Sequence, residues 1–219
     1  MITTELVHVR IKLALHTLRE AGGPQLLLLH GLGERSPATV PDNIDAWPGA
    51  IYALDFTGHG ASTIPAGGGY TTEGLMGDVA IALDHLGPTT LLGRGLGAYV
   101  GLLAAGALPT KVRGAVLGDG PGLAGGGPAP TSPHILVVDP ASVAPPDPFA
   151  LAELVDDVRP PDYATSFARQ ATQLSGLADP VAVTAMARPD WLRALVDEPG
   201  VIVTTLSDAL SLYGANAST

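Results

Sequence analysis

Short apolar segments alternate along this chain with segments of helical periodicity, and this alternation limits the possible folds more than any other feature. The apolar segments read QLLLLHG, AIYALDF, TTLLG, VRGAVLGDG, HILVVDP and VIVTTL. Because a strand with one solvent-facing side alternates apolar and polar residues, unbroken apolar runs indicate strands that are buried on both faces. Helices between such strands cover both faces of a mostly parallel sheet, so the sequence predicts an α/β fold.

The remaining segments predict how the chain is organised. ELVHVRI and KLALHTL predict an N-terminal β-hairpin, and TTEGLMGDVAIALDHLG predicts a helix with a Thr-Thr-Glu cap at its start. Residues 121–133 are predicted to form a loop rich in glycine and proline, and residues 147–199 are predicted to be mostly helical and to cover part of a site. No repeat or domain-sized linker interrupts the sequence, so residues 1–219 are predicted to form one domain.

The composition excludes several kinds of partner and site. With 219 residues, 46% hydrophobic and 15% charged, the chain is long and apolar enough for one well-buried core. A net charge of −10 repels nucleic acid and anionic membrane surfaces, so neither is expected as a partner. The chain has no cysteine, which excludes disulfides and thiolate metal sites. The six histidines lack the spacing of a metal motif, so no metal and no cofactor is expected.

The ends and apolar stretches of the sequence predict a cytoplasmic protein. The first residues, MITTELVHVRIK, lack the basic start and long apolar run of a secretory signal. The apolar stretch at residues 95–110 falls short of the about 18 apolar residues that a membrane span needs.

The segment LLGRGLGAYVG, residues 91–101, predicts a strand, a tight glycine turn and a helix rich in small residues. A turn of this shape is typical of a nucleophile elbow, whose central residue is a Ser, Cys or Asp nucleophile. Gly93 and Gly97 allow the strand and the helix to pack closely. Gly95, at the centre, suits the backbone geometry of the turn but has no side chain to act as a nucleophile.

Four motifs together resemble the α/β-hydrolase family over most of residues 6–140. They are LLLLHGLGE, LDFTGHGAS, LLGRGLGAY and VRGAVLGDGPG, and they occur in that order. The resemblance implies an α/β-hydrolase-type fold with a mostly parallel sheet of about eight strands flanked by helices and a reduced or absent cap. It also implies hydrolysis of a small, fairly apolar carboxylic ester.

The resemblance assigns residues to an oxyanion hole as well. It places the oxyanion loop at His30 and the three residues that follow it, Gly31, Leu32 and Gly33. It places the elbow at Arg94, Gly95 and Leu96. The backbone amides of Leu32 and Leu96 would then point to one site, where we expect an ordered water or a small anion.

The catalytic triad of the family is incomplete in this sequence. Gly95 replaces the nucleophile, and no histidine follows His134, although the family's histidine follows the final strand. Asp119 and Asp139 each follow a predicted strand and are candidates for the acid. His59, in the GHG turn, is interpreted as structural. The leading hypothesis is therefore a degenerate hydrolase that has kept the fold and binds a small molecule or a protein partner.

Two alternatives remain open from the sequence. The first is a hydrolase or lyase that acts on a small ester-like substrate without a serine, with His30 or Asp119 as the base. The second is a dinucleotide-binding protein, because residues 93–98, GRGLGA, fit the relaxed fingerprint G-x-G-x-x-G/A between a strand and a helix. In that case Asp119 would bind the ribose.

Overall fold

The computed structural model describes residues 2–126 and 144–215. The strands within these ranges are β1 (Ile2–His8), β2 (Ile11–Arg19), β3 (Leu26–Leu29), β4 (Ile51–Asp55), β5 (Thr89–Arg94), β6 (Val112–Gly118), β7 (Val181–Val183) and β8 (Val201–Val203). The helices are α1 (Thr72–Leu86), α2 (Leu96–Ala107), α3 (Pro148–Asp156), α4 (Pro161–Leu174), α5 (Asp190–Leu195) and α6 (Leu206–Ala215), with a short 3-10 helix at Asp42–Ile44.

All eight strands belong to one sheet in the order β1-β2-β4-β3-β5-β6-β7-β8. β1 and β2 form the predicted antiparallel hairpin at one edge, and β2 also pairs antiparallel with β4. Every other neighbouring pair is parallel. The predicted mostly parallel sheet of about eight strands is confirmed.

Each face of the sheet is covered by its own apolar layer. One layer joins alternate residues of the strands to α1, α2, α4 and α5, and its largest buried side chains include Tyr99 and Trp191. The other layer joins the intervening strand residues to the 3-10 helix and α6, and it contains Trp47 and Tyr213. The strands therefore read as unbroken apolar runs because both of their faces are buried.

Residues 147–199, predicted as mostly helical, contain α3, α4 and α5, and they also contain the strand β7, which the sequence does not predict. This strand has only three residues, Val181–Val183, and all three are fully buried between β6 and β8. A run this short, directly after Pro180, gives too little periodicity to separate a strand from a loop. The strand predicted at HILVVDP, and with it the candidate acid Asp139, lies outside the described residues.

Within residues 2–126 and 144–215, every helix is too short or too polar to cross a lipid bilayer.

Candidate functional site

The predicted elbow is the turn from β5 to α2 at Gly95, whose backbone has φ 58° and ψ −120°. A side chain is strained in this conformation, whereas glycine adopts it easily. A Cβ on Gly93 would lie 2.2 Å from the carbonyl oxygen of Gly97, and a Cβ on Gly97 would lie 2.4 Å from that of Leu29. The glycines at 93, 95 and 97 are therefore all required by the close approach of strand and helix.

The backbone amides of Leu32 and Leu96 converge on one point, which a carbonyl oxygen of the chain itself occupies. The Leu32 amide donates a 3.0 Å hydrogen bond to the oxygen of Pro121, and the Leu96 amide donates a 2.9 Å bond to the same atom. Two amide donors on one oxygen are the arrangement that stabilises an oxyanion. The expected water or anion is therefore not at this point, because the Pro121 oxygen fills it.

The same loop fills the space in front of Gly95. A Cβ built on Gly95 would lie 2.0 Å from the oxygen of Pro121 and 2.6 Å from the carbonyl carbon of Gly120. Residues 120–123 follow β6 and cross the elbow. We call this segment the plug. A nucleophilic side chain at position 95 and the plug cannot occupy this space together.

A buried arginine holds the plug in place. Arg159, only 4% exposed, donates hydrogen bonds from one guanidinium nitrogen to the carbonyl oxygens of Gly122 and Leu123. Its guanidinium lies 4.8 Å from the centre of the Tyr99 ring, and the indole N–H of Trp191 donates a 2.8 Å bond to Leu123. Burial lowers the pKa of Arg159 to about 10, so the group stays charged at neutral pH.

His30 supports the oxyanion loop with both of its ring nitrogens. Its Nδ1 donates a 2.8 Å hydrogen bond to the carbonyl oxygen of Gly31, and its Nε2 accepts a 3.1 Å bond from the amide of Phe56. Burial, and then the nearby His59, lower the pKa of His30 to about 4. A neutral ring with both nitrogens bonded has no free site to take a proton from a substrate.

His59 is bonded in the same way. Its Nδ1 donates a 3.1 Å hydrogen bond to the carbonyl oxygen of Thr57, and its Nε2 accepts a 3.2 Å bond from the amide of Gly33. Burial lowers the pKa of His59. His30 and His59 thus fix the two ends of the oxyanion loop.

This arrangement predicts that stability falls as the pH drops below the ordinary pKa of histidine. The unfolded chain takes up a proton near pH 6.5, whereas folded His30 resists it until about pH 4. The contribution of His30 is therefore complete above pH 6.5 and is lost progressively as the pH falls towards 4. Urea unfolding at about pH 5 and at neutral pH should differ by about 2 kcal/mol from this group alone.

Two variants test the assignment of this pH dependence. His30→Gln is neutral at both pH values and should show a shallower loss of stability on acidification. His85→Gln changes an exposed histidine near the end of α1 and should keep the slope of the parent protein. An unchanged slope in His30→Gln would assign the pH dependence to other groups.

The candidate acid Asp119 is engaged in the backbone of the neighbouring loop. Its two carboxylate oxygens accept hydrogen bonds from the amides of Met186, at 2.7 Å, and Ala187, at 3.0 Å. These residues follow β7, so Asp119 ties the loops after β6 and β7 together. It makes no hydrogen bond to a histidine of the described residues.

Comparison of the sequence with known protein families identifies the family to which this fold belongs. The sequence model of the Alpha/beta hydrolase family matches residues 26–216. The chain belongs to the alpha/beta hydrolase family. None of the curated proteins matches it in sequence.

Solved structures of alpha/beta hydrolase type overlay on nearly the whole chain. A thioesterase domain from the curacin biosynthetic pathway is 14% identical, with 100% of this chain and 99% of that chain covered and a TM-score of 0.66. A hypothetical protein of Pseudomonas aeruginosa PAO1 is 17% identical, with 99% of each chain covered and a TM-score of 0.66. A hydrolase from Pseudomonas aeruginosa is 22% identical, with 99% and 97% covered and a TM-score of 0.58. At these identities the likeness shows the fold alone.

In this member of the alpha/beta hydrolase family, the amides at the start of α2 are not available for a pyrophosphate. The amides of Gly95, Leu96 and Gly97 donate to the carbonyl oxygens of Gly118, Pro121 and His30, at 3.0, 2.9 and 3.1 Å. A dinucleotide fingerprint works because such amides face the phosphates. The dinucleotide alternative is therefore disfavoured by the geometry of the turn.

A cavity of about 550 Å³ lies next to the elbow, at the carboxyl ends of β3, β5 and β6. His30, Gly93, Arg94 and Asp119 line it, together with residues of the 3-10 helix and Leu206 at the start of α6. In open α/β folds, ligands bind at this edge of the sheet, beyond the carboxyl ends of the strands. The turn at Gly95 thus has an adjacent cavity, although the plug occupies the point between the amides of Leu32 and Leu96.

The sequence does not predict the plug or the residues that hold it. The sequence predicts that Pro121 and Gly122 begin a glycine- and proline-rich loop, but it does not predict that this loop crosses the elbow. Its one available signal is a proline between two glycines directly after a buried strand, which indicates a tight backbone approach. Nothing in the sequence around Arg159 or Trp191 links either residue to this loop.

Proposed function

We propose that this protein is a degenerate alpha/beta hydrolase that binds a small molecule and does not cleave esters by the serine mechanism. The observation that carries the proposal is the carbonyl oxygen of Pro121 between the amides of Leu32 and Leu96. A substrate carbonyl needs that position in order to be attacked. The chain thus supplies its own acceptor, in a site that has glycine where the nucleophile belongs.

The state of the candidate bases also supports the proposal. His30 has no free nitrogen and Asp119 accepts two backbone amides, so neither is positioned as a general base. General-base catalysis requires a group within hydrogen-bond reach of the proton that it removes. Both candidate bases of the non-serine alternative, His30 and Asp119, are thus engaged in hydrogen bonds within the protein.

The cavity beside the elbow supports the binding part of the proposal. Its volume of about 550 Å³ falls within the range of about 300 to 1,000 Å³ that is typical of small-molecule sites. It combines apolar walls with a few polar groups, which is the usual composition of such sites. A ligand can enter it while the plug stays in the oxyanion hole.

Activity-based labelling tests the proposal directly. The purified protein should show no burst of p-nitrophenol from p-nitrophenyl acetate and no covalent labelling by a fluorophosphonate, because position 95 has no hydroxyl. A serine esterase treated in parallel shows that the reagents are active. Stoichiometric labelling of any serine of this chain, followed by turnover, would overturn the proposal.

A further inference from the structure

The cavity beside the elbow has one apolar side and one polar rim. The apolar side is made by Leu28, Ile44, Leu92 and Leu206, with Pro37 and Pro41 next to them. The charged groups at the rim are Glu34, Arg35, Arg94 and Asp119. A matching ligand has an apolar body and one polar end. The charge and hydrogen-bonding type of that end follow from the rim groups that are not already bonded within the protein.

The two carboxylates of the rim are already satisfied by the protein. One oxygen of Glu34 accepts a 2.9 Å hydrogen bond from the amide of Gly31, and the other lies 3.2 Å from the guanidinium of Arg94. Both oxygens of Asp119 accept backbone amides of the loop after β7. The rim thus attracts a cationic ligand only weakly.

The rim's donors, in contrast, remain available. Arg94 uses one nitrogen for Glu34, and its side chain is 55% exposed. Arg35 is exposed and has no hydrogen-bond or ion-pair partner among residues 2–126 and 144–215. Two of the chain's eleven basic residues therefore face this one cavity with unused N–H groups, in a protein whose net charge is −10.

We propose that the cavity binds a small amphipathic carboxylic acid, with its carboxylate at Arg35 and Arg94 and its alkyl or aryl body against the apolar side. A guanidinium presents paired N–H donors that match the two oxygens of a carboxylate. Burial of the methylenes of the body against Leu28, Ile44 and Leu92 adds a hydrophobic contribution to the affinity. This inference rests on the proposed small-molecule function and names its ligand class.

Calorimetric titration with octanoate tests the proposal, with octanol and octylammonium as probes of the same length. Octanoate should bind saturably, and both other probes should bind at least about tenfold more weakly, because they lose the charge-assisted bonds. The affinity for octanoate should fall by about fivefold to tenfold in each of the variants Arg94→Gln and Arg35→Gln. Arg10→Gln removes an exposed arginine of the hairpin turn and should leave the affinity unchanged.

Three results would overturn the proposal: no saturation by octanoate up to about 10 mM, equal affinity for octanol, or unchanged affinity in both cavity variants. Thermal melts confirm that the variants fold, and both arginines are exposed, so their loss should leave the melting temperature nearly unchanged. The labelling experiment gives its answer independently. An unlabelled protein that does not bind octanoate would refute the ligand class and leave the loss of serine catalysis standing.

Discussion

Gly95→Ser should lower the free energy of unfolding by on the order of 4 kcal/mol and displace the plug from the amides of Leu32 and Leu96. The left-handed backbone at φ 58° costs a serine about 1 to 3 kcal/mol. Its Cβ would also lie 2.0 Å from the oxygen of Pro121, so the loop has to move. The amides of Leu32 and Leu96 then lose their acceptor, at about 1 kcal/mol for each hydrogen bond. Urea unfolding measures the total.

Gly176→Ser is a matched control for the backbone contribution. Gly176 also has a positive φ, 76°, but no atom lies within 4 Å of the position where its Cβ would be. The free energy of unfolding of this variant should fall only by the backbone conformational cost, about 1 kcal/mol, and the plug should stay in place. Equal losses in the two variants would show that the plug does not occupy the space in front of Gly95.

Hydrogen exchange shows whether the plug has moved. In Gly95→Ser the amides of Leu32 and Leu96 should exchange at least about tenfold faster than in the parent protein, because their acceptor has left. The variant should still fail to hydrolyse p-nitrophenyl acetate, since no histidine follows residue 134 in the sequence. A fast serine esterase produced by this one substitution would reveal a base that the described contacts do not show.

The fold was predictable because its signals are local and repeated. The central strands of the parallel core are apolar runs, such as β3 with its four leucines, and the turn from β5 to α2 has glycines at positions 93, 95 and 97. The order of four such motifs then fixed the family. β7 was not predicted because its three residues form a strand only through pairing with β6 and β8, which are separate segments of the sequence.

The site was less predictable because its decisive atoms are in the backbone. The absence of a nucleophilic side chain at Gly95 is visible in the sequence, but the acceptor between the amides of Leu32 and Leu96 is a carbonyl oxygen, which every residue has. Only the path of the loop after β6 brings the oxygen of Pro121 to the amides of Leu32 and Leu96. The sequence could thus predict what the elbow lacks and could not predict what replaces it.

Arg159→Met should destabilise the protein by about 3 kcal/mol and loosen the plug without touching the elbow. The arginine makes two charge-assisted hydrogen bonds to the plug, each worth about 1.5 to 3 kcal/mol. Part of this gain is offset by desolvation of the guanidinium, two of whose nitrogens are buried without a partner. After the substitution, the carbonyl oxygen of Leu123 still accepts the hydrogen bond from the indole of Trp191, but the carbonyl oxygen of Gly122 loses its donor.

The control is Arg169→Met, the same change at an exposed arginine of α4 that pairs with Glu198. An exposed ion pair contributes little to stability, so this variant should be nearly as stable as the parent protein. The exchange of the Leu32 and Leu96 amides should rise in Arg159→Met and stay unchanged in Arg169→Met. If both amides kept their protection in Arg159→Met while stability fell, the arginine would contribute only to the packing around Tyr99 and Trp191. The plug would then be held by its fit against Gly95 and by the two amides alone.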